Sequence, residues 1–192
     1  MKTLMVHPWP GPVPAPEDGV VVIAIETEAG APRAQARAQI LAATKEVLSA
    51  LLSLPADAIT IESTPGQPPR IVVTAGDARS VGCSFAHEDG HSVAAINLRG
   101  AVGVDLMRVQ DIPDWHAVAV DYLGPETAAI LLATPAADRP RAFAQAWAKN
   151  EAVLKCHGER LSEWTDRDRE STTRFCFLSE AVVIGLAYFN PG

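Results

Sequence analysis

The chain has 192 residues, 48% of them hydrophobic and 20% charged, which is ordinary for a globular protein and enough to bury a sizeable core. Its net charge of −7 argues against a general nucleic-acid binder, because phosphate contacts need clustered Lys and Arg. An anionic ligand must therefore be met by a local basic pocket or a metal ion.

No apolar run approaches the roughly 20 residues needed to span a bilayer, so no membrane partner is expected. The N-terminus carries one lysine, a very short apolar stretch and then prolines, which is not the pattern of a secretory signal. Cys83, Cys156 and Cys176 stand at spacings that suit neither a zinc site nor a disulfide framework. They read as thiols in a reducing cytoplasm.

Prolines at every second position from Pro8 to Pro16 predict an extended, polyproline-like arm over 8–16. Val20 to Ile25 is a β-branched run bounded by turn residues and reads as a buried strand. An alanine-rich helix is expected over about 31–52, with Ile40, Leu41, Val47, Leu48, Leu51 and Leu52 at helical spacing. Short strands follow at 58–61 and 70–73, separated by the turn Thr64-Pro65-Gly66-Gln67-Pro68-Pro69. Strands at 83–85 and 92–97 should flank a loop, His87-Glu88-Asp89-Gly90.

The second half begins with a strand over 101–107, continues with helices over 125–133 and about 139–157, and closes with strands at 174–178 and 181–189. Each half is then a strand, helix and further strands. That pattern predicts an α+β protein of two similar lobes, an N-terminal one over 1–100 and a C-terminal one over 101–192.

Three stretches carry candidate chemistry. In Val102-Gly103-Val104-Asp105-Leu106-Met107 a carboxylate ends an apolar strand, where burial is costly unless a cation or donors meet it. Alternation puts Asp105 on the side of Gly103, whose small size should leave space beside the acid. In the last long helix, Glu151 and Lys155 are four apart on one face, a spacing equally compatible with a surface ion pair. Gly158 is a natural stop for that helix. Phe85-Ala86-His87-Glu88-Asp89-Gly90-His91 places His, Glu and Asp in a turn that could bind a metal or an anion, or simply be solvated.

Together these stretches resemble the Sfp-like 4'-phosphopantetheinyl transferases. That family has a Gly-x-Asp strand and, further on, a helix of the type Trp-x-x-Lys-Glu-Ala-x-x-Lys; here Asp105 and Glu151 stand 46 residues apart. Tyr122-Leu123-Gly124-Pro125-Glu126 fits the segment between the two motifs. Gly66-Gln67-Pro68 and Ala86-His87 stand where the family has a Gly-Lys-Pro turn and a Ser-His loop.

The resemblance implies two α+β lobes related by pseudo-twofold symmetry, with coenzyme A in the cleft between them. It implies transfer of the phosphopantetheine arm of CoA to a serine of an apo acyl or peptidyl carrier protein, releasing 3',5'-ADP. Asp105, Glu151 and Glu88 would hold Mg2+. Glu151 and Lys155 would be catalytic, while His87, Gln67, Ala86 and Arg37 would lie against CoA. A monomeric cytoplasmic enzyme is implied, since both lobes are on one chain.

Four residues depart from the family pattern: Met107 for a second acid, Gln67 for lysine, Ala86 for serine and Asn150 for lysine. The departures leave room for a non-catalytic relative that binds CoA or a carrier protein. A small metal-dependent hydrolase built on His87, His91, Glu88 and Asp105 is a further alternative. Arg139, Arg141 and Lys149 are candidates for docking an acidic carrier.

Overall fold

A computed structural model of the chain describes residues 4–64, 67–74, 81–166 and 171–189. The first sheet is formed by β1 (Val6–Pro8), β2 (Val20–Glu26), β3 (Ile59–Glu62), β4 (Arg70–Val73), β5 (Gly82–Glu88) and β6 (His91–Asn97), in the order β1-β2-β6-β5-β4-β3. All its pairings are antiparallel except β1 with β2. Helix α1 (Arg33–Leu52) covers one face, where Ile40, Val47 and Leu48 meet Val21, Ile23 and Ile96.

β2 shows why its run is apolar at successive positions rather than alternate ones. Val21 and Ile23 face α1, whereas Val20 and Val22 face the second sheet. A strand buried on both sides has no polar face to show.

The second sheet is β7 (Val102–Arg108), β9 (Val182–Tyr188) and β8 (Thr172–Ser179), in the order β7-β9-β8 and antiparallel throughout. Its Val104, Leu106, Ile184 and Leu186 share a core with Val20, Val22, Ala86 and Val93 of the first sheet. The short helix α2 (Trp115–Val118), a π-turn over Ala119–Leu123 and helix α3 (Pro125–Ala133) lead to α4 (Arg139–His157). α4 lies on the second sheet, on the side away from the shared core.

The two sheets are joined by a turn over 98–101 that a buried side chain secures. Asn97 Nδ2 donates to Ala101 O and Phe189 O, both at 3.1 Å, while its Oδ1 accepts from Arg99 N at 2.9 Å.

The architecture is mixed α and β, as the sequence patterns predict, with differences in detail. The start of the proline arm is a sheet member, since Val6–Pro8 run parallel to Val22–Ala24 and Trp9 N donates to Ala24 O at 2.8 Å. An edge strand tolerates Pro8 because proline removes only one donor there. The expected loop at 87–90 is shorter: His87 and Glu88 belong to β5, and Asp89-Gly90 alone make the hairpin turn, with Gly90 at φ +81°. Helical turns over 115–123 are an addition to the sequence pattern, because that stretch has no sustained apolar period. Pro65 and Gly66 of the expected turn lie outside the described residues.

Candidate functional site

The placement of α4 follows from small residues on both partners. Ala144, Ala148 and Ala152 recur every fourth residue and are fully buried. They bring the helix backbone down onto Gly103 of β7 and Gly185 of β9. A Cβ on Gly103 would stand 1.9 Å from Ala152 O, and one on Gly185 would stand 2.2 Å from Ala148 O. The space expected beside Asp105 at Gly103 is therefore occupied by the helix itself. On another side of α4, Trp147 stacks on Phe143 and meets the edge of Tyr122.

This docking sets Glu151 and Lys155 against the strand that carries Asp105. Lys155 Nζ donates to Asp105 Oδ1 at 2.7 Å and to Val104 O at 3.0 Å. The partner of Lys155 is thus on the sheet, not one turn away on its own helix. Asp105, Glu151 and Lys155 all line a cavity of about 350 Å³, to which α1, β5 and the turn after α4 also contribute residues.

Both signs of charge line the cavity. Burial, first of all, pushes the Asp105 carboxyl above the usual range; the charge of Glu88 adds to this and Lys155 opposes it. Burial also raises Glu151, followed by the charge of Asp105, again opposed by Lys155. The same cavity is lined by Arg33 and Arg37, one turn apart on α1, and by Arg160. Arg37 donates to the hydroxyl of Ser63.

Arg160 is aimed by the end of α4. Gly158 is left-handed at φ +68°, its N–H donates to Lys155 O and that of Glu159 to Leu154 O. This is a Schellman ending, which turns the chain back over the cavity.

His87 faces α1 from β5. Burial, then Arg33, Arg37 and Lys155, lower its pKa to about 4, so it is neutral at neutral pH. Its Nδ1 is 2.8 Å from Ser92 Oγ, and its Nε2 is buried without a hydrogen-bond partner. Gln67 and Ala86 also line the cavity, although Ala86 offers only a methyl group and its backbone.

Other expected positions fall elsewhere. Glu88 lies outside the cavity lining, with Oε1 3.9 Å from Arg108 Nε and accepting from Asp89 N. His91 is paired with Glu88 across the hairpin and does not line the cavity. Asn150 reaches Tyr122 O at 3.5 Å, tying α4 to the π-turn. Arg139 caps α3 through Leu131 O and Thr134 O and lies over the Trp115 ring, while Arg141 holds Glu180 O, so neither is a loose surface cation.

Arg33 and Arg160 were missed in the sequence. The available signals were an Arg four residues before Arg37 and an Arg two residues after a helix-ending glycine.

Among the described residues no group of three or more His, Cys, Asp or Glu is arranged to hold a metal ion. Asp105 and Glu151 nevertheless form an oxygen-only pair, each burdened by burial and Glu151 also by its neighbour's charge. Such a donor set fits a hard divalent cation that takes its remaining ligands from phosphate and water.

Among the described residues no helix is long and apolar enough to cross a membrane. No curated protein sequence matches the chain. Residues 101–182, which carry Asp105, Glu151 and Lys155 together with β7 and α4, match the family model of the 4'-phosphopantetheinyl transferase superfamily.

Proposed function

We propose that the chain is an Sfp-like 4'-phosphopantetheinyl transferase, moving the phosphopantetheine arm of CoA to a serine hydroxyl of an apo acyl or peptidyl carrier protein. The observation that carries this reading is the convergence of Asp105, Glu151 and Lys155 on a cavity that Arg33, Arg37 and Arg160 also line. The family match over 101–182 supports the same reading. In it, residues 1–100 and 101–192 act as two lobes with CoA between them, and the enzyme works as a cytoplasmic monomer.

Asp105 and Glu151 would hold Mg2+, with the remaining ligands taken from phosphate and water and none from Glu88, which lies outside the cavity lining beside Arg108. The cation supplies charge neutralisation on the pyrophosphate oxygens. Glu151, or a water it orients, takes the proton of the serine hydroxyl as that oxygen bonds to the phosphorus of the phosphopantetheine arm. The pyrophosphate P–O bond breaks and 3',5'-ADP leaves, with Lys155 beside the departing phosphate.

Arg33, Arg37 and Arg160 meet the anionic nucleotide end, replacing the cations absent at Gln67 and Asn150. His87, neutral and with a free Nε2, offers that end a hydrogen bond.

Intact-protein mass spectrometry of an apo acyl carrier protein incubated with this protein, CoA and Mg2+ tests the proposal. The expected result is a gain of one phosphopantetheine, lost when the cation is chelated. Binding of CoA without modification of any of several carriers would favour the non-catalytic relative instead.

A further inference from the structure

The reading above leaves the cavity-lining hydroxyl of Ser84 without a role. Ser84 lies in β5, is 4% exposed and stands where the two sheets meet. Among the described residues no backbone ladder crosses that seam, since β5 pairs with β4 and β6, and β7 pairs with β9. The seam is bridged instead by a side chain: Val104 N donates to Ser84 Oγ at 3.0 Å. The carbonyl of the same residue accepts from Lys155 Nζ at 3.0 Å, and Lys155 also donates to Asp105 Oδ1 at 2.7 Å.

Both polar groups of Val104 on the open edge of β7 are therefore held from outside their own sheet. Val104 itself is fully buried, so an unmet N–H there has no water to turn to. An ammonium has three donors, and these two contacts fix two of them, leaving the third for a ligand.

We propose that Ser84 is a positioning residue: by holding Val104 N–H it fixes the edge of β7, and through Val104 O it orients the Lys155 ammonium against Asp105. Its kinetic consequence rests on the transferase reading; its structural consequence does not.

Ser84→Ala removes the acceptor, Ser84→Cys fills the space with a poor acceptor, and Ser84→Thr restores a hydroxyl. Loss of alignment should lower kcat about tenfold in Ser84→Ala and Ser84→Cys with KM for CoA within about twofold, and Ser84→Thr should recover most of it. A raised KM at unchanged kcat would make Ser84 a direct ligand contact and overturn the proposal.

The second readout needs no turnover. The chain has four lysines, Lys2, Lys45, Lys149 and Lys155, so 13Cε-lysine labelling gives few signals, and Lys155→Met assigns the one of interest. The Lys155 signal should move in Ser84→Ala and Ser84→Cys and return in Ser84→Thr, while those of the other lysines stay. An unmoved Lys155 signal in folded Ser84→Cys would overturn the proposal. Should wild-type protein modify no carrier, the transferase reading falls and the lysine spectra still decide the role of Ser84.

Discussion

The two sides of the cavity are built on different principles. The side formed by β7 and α4 is a matter of close fit, with glycines at 103 and 185 admitting the helix backbone and short contacts tying Lys155 to Val104 and Asp105. The side formed by α1 and the turn after α4 presents long cationic side chains, Arg33, Arg37 and Arg160. Position matters most on the first side, where a shift of an ångström misaligns reacting groups. Charge matters most on the second, where a flexible guanidinium can follow its ligand.

The largest effect expected from breaking this contrast is on the fitted side. Glu151→Gln keeps the helix and removes only the carboxylate, so transfer should fall by about a thousandfold with the urea midpoint unchanged. Transfer at near wild-type rate would remove Glu151 from the mechanism. Gly103→Ala drives a methyl into Ala152 O, and urea unfolding should show a loss of about 3 kcal/mol. An unchanged midpoint would mean that α4 is not seated as described.

On the cationic side the effects are smaller and of another kind. Arg37→Ala should raise KM for CoA about tenfold and leave kcat nearly unchanged, because a charge-assisted contact to substrate is lost equally in ground and transition states. A fall in kcat alone would place Arg37 on the fitted side of the comparison.

The smallest expected effect is on stability. His87 titrates at about 4 when folded against an ordinary 6.5, so the unfolded chain binds the extra proton between those values. Stability contributed by His87 is present above about pH 6.5 and is lost as the pH falls towards 4. His87→Gln should flatten thermal stability across that window, by an amount reduced by the partial exposure of the ring. An unaltered pH slope would show that the ring is solvated.

The acidic side was largely legible in the sequence, because its signals are local. A carboxylate at the end of an apolar strand and a Glu-Lys pair beside an alanine stripe can be read from strand and helix periods alone, and the helices at 125–133 and 139–157 fall where those periods put them. The cationic side was not legible. An arginine on the first turn of α1 looks like any solvated helix residue until β5 is laid beside it. The same holds for Glu88 and His87, neighbours in sequence whose opposite facings depend on strand pairing that no local pattern encodes. At Gly103 the strand pattern shows the small size but not the neighbour, since only tertiary docking reveals that a helix uses the gap.

The buried Asn97 has a consequence for kinetics. With three hydrogen bonds to the turn over 98–101 and the end of β9, it restrains the segment that joins the two sheets. With that joint restrained, ligand is expected to enter by diffusion into a shape already made. The association rate should then rise as ionic strength falls, drawn by the arginines, and show no slow isomerisation phase as ligand concentration is raised.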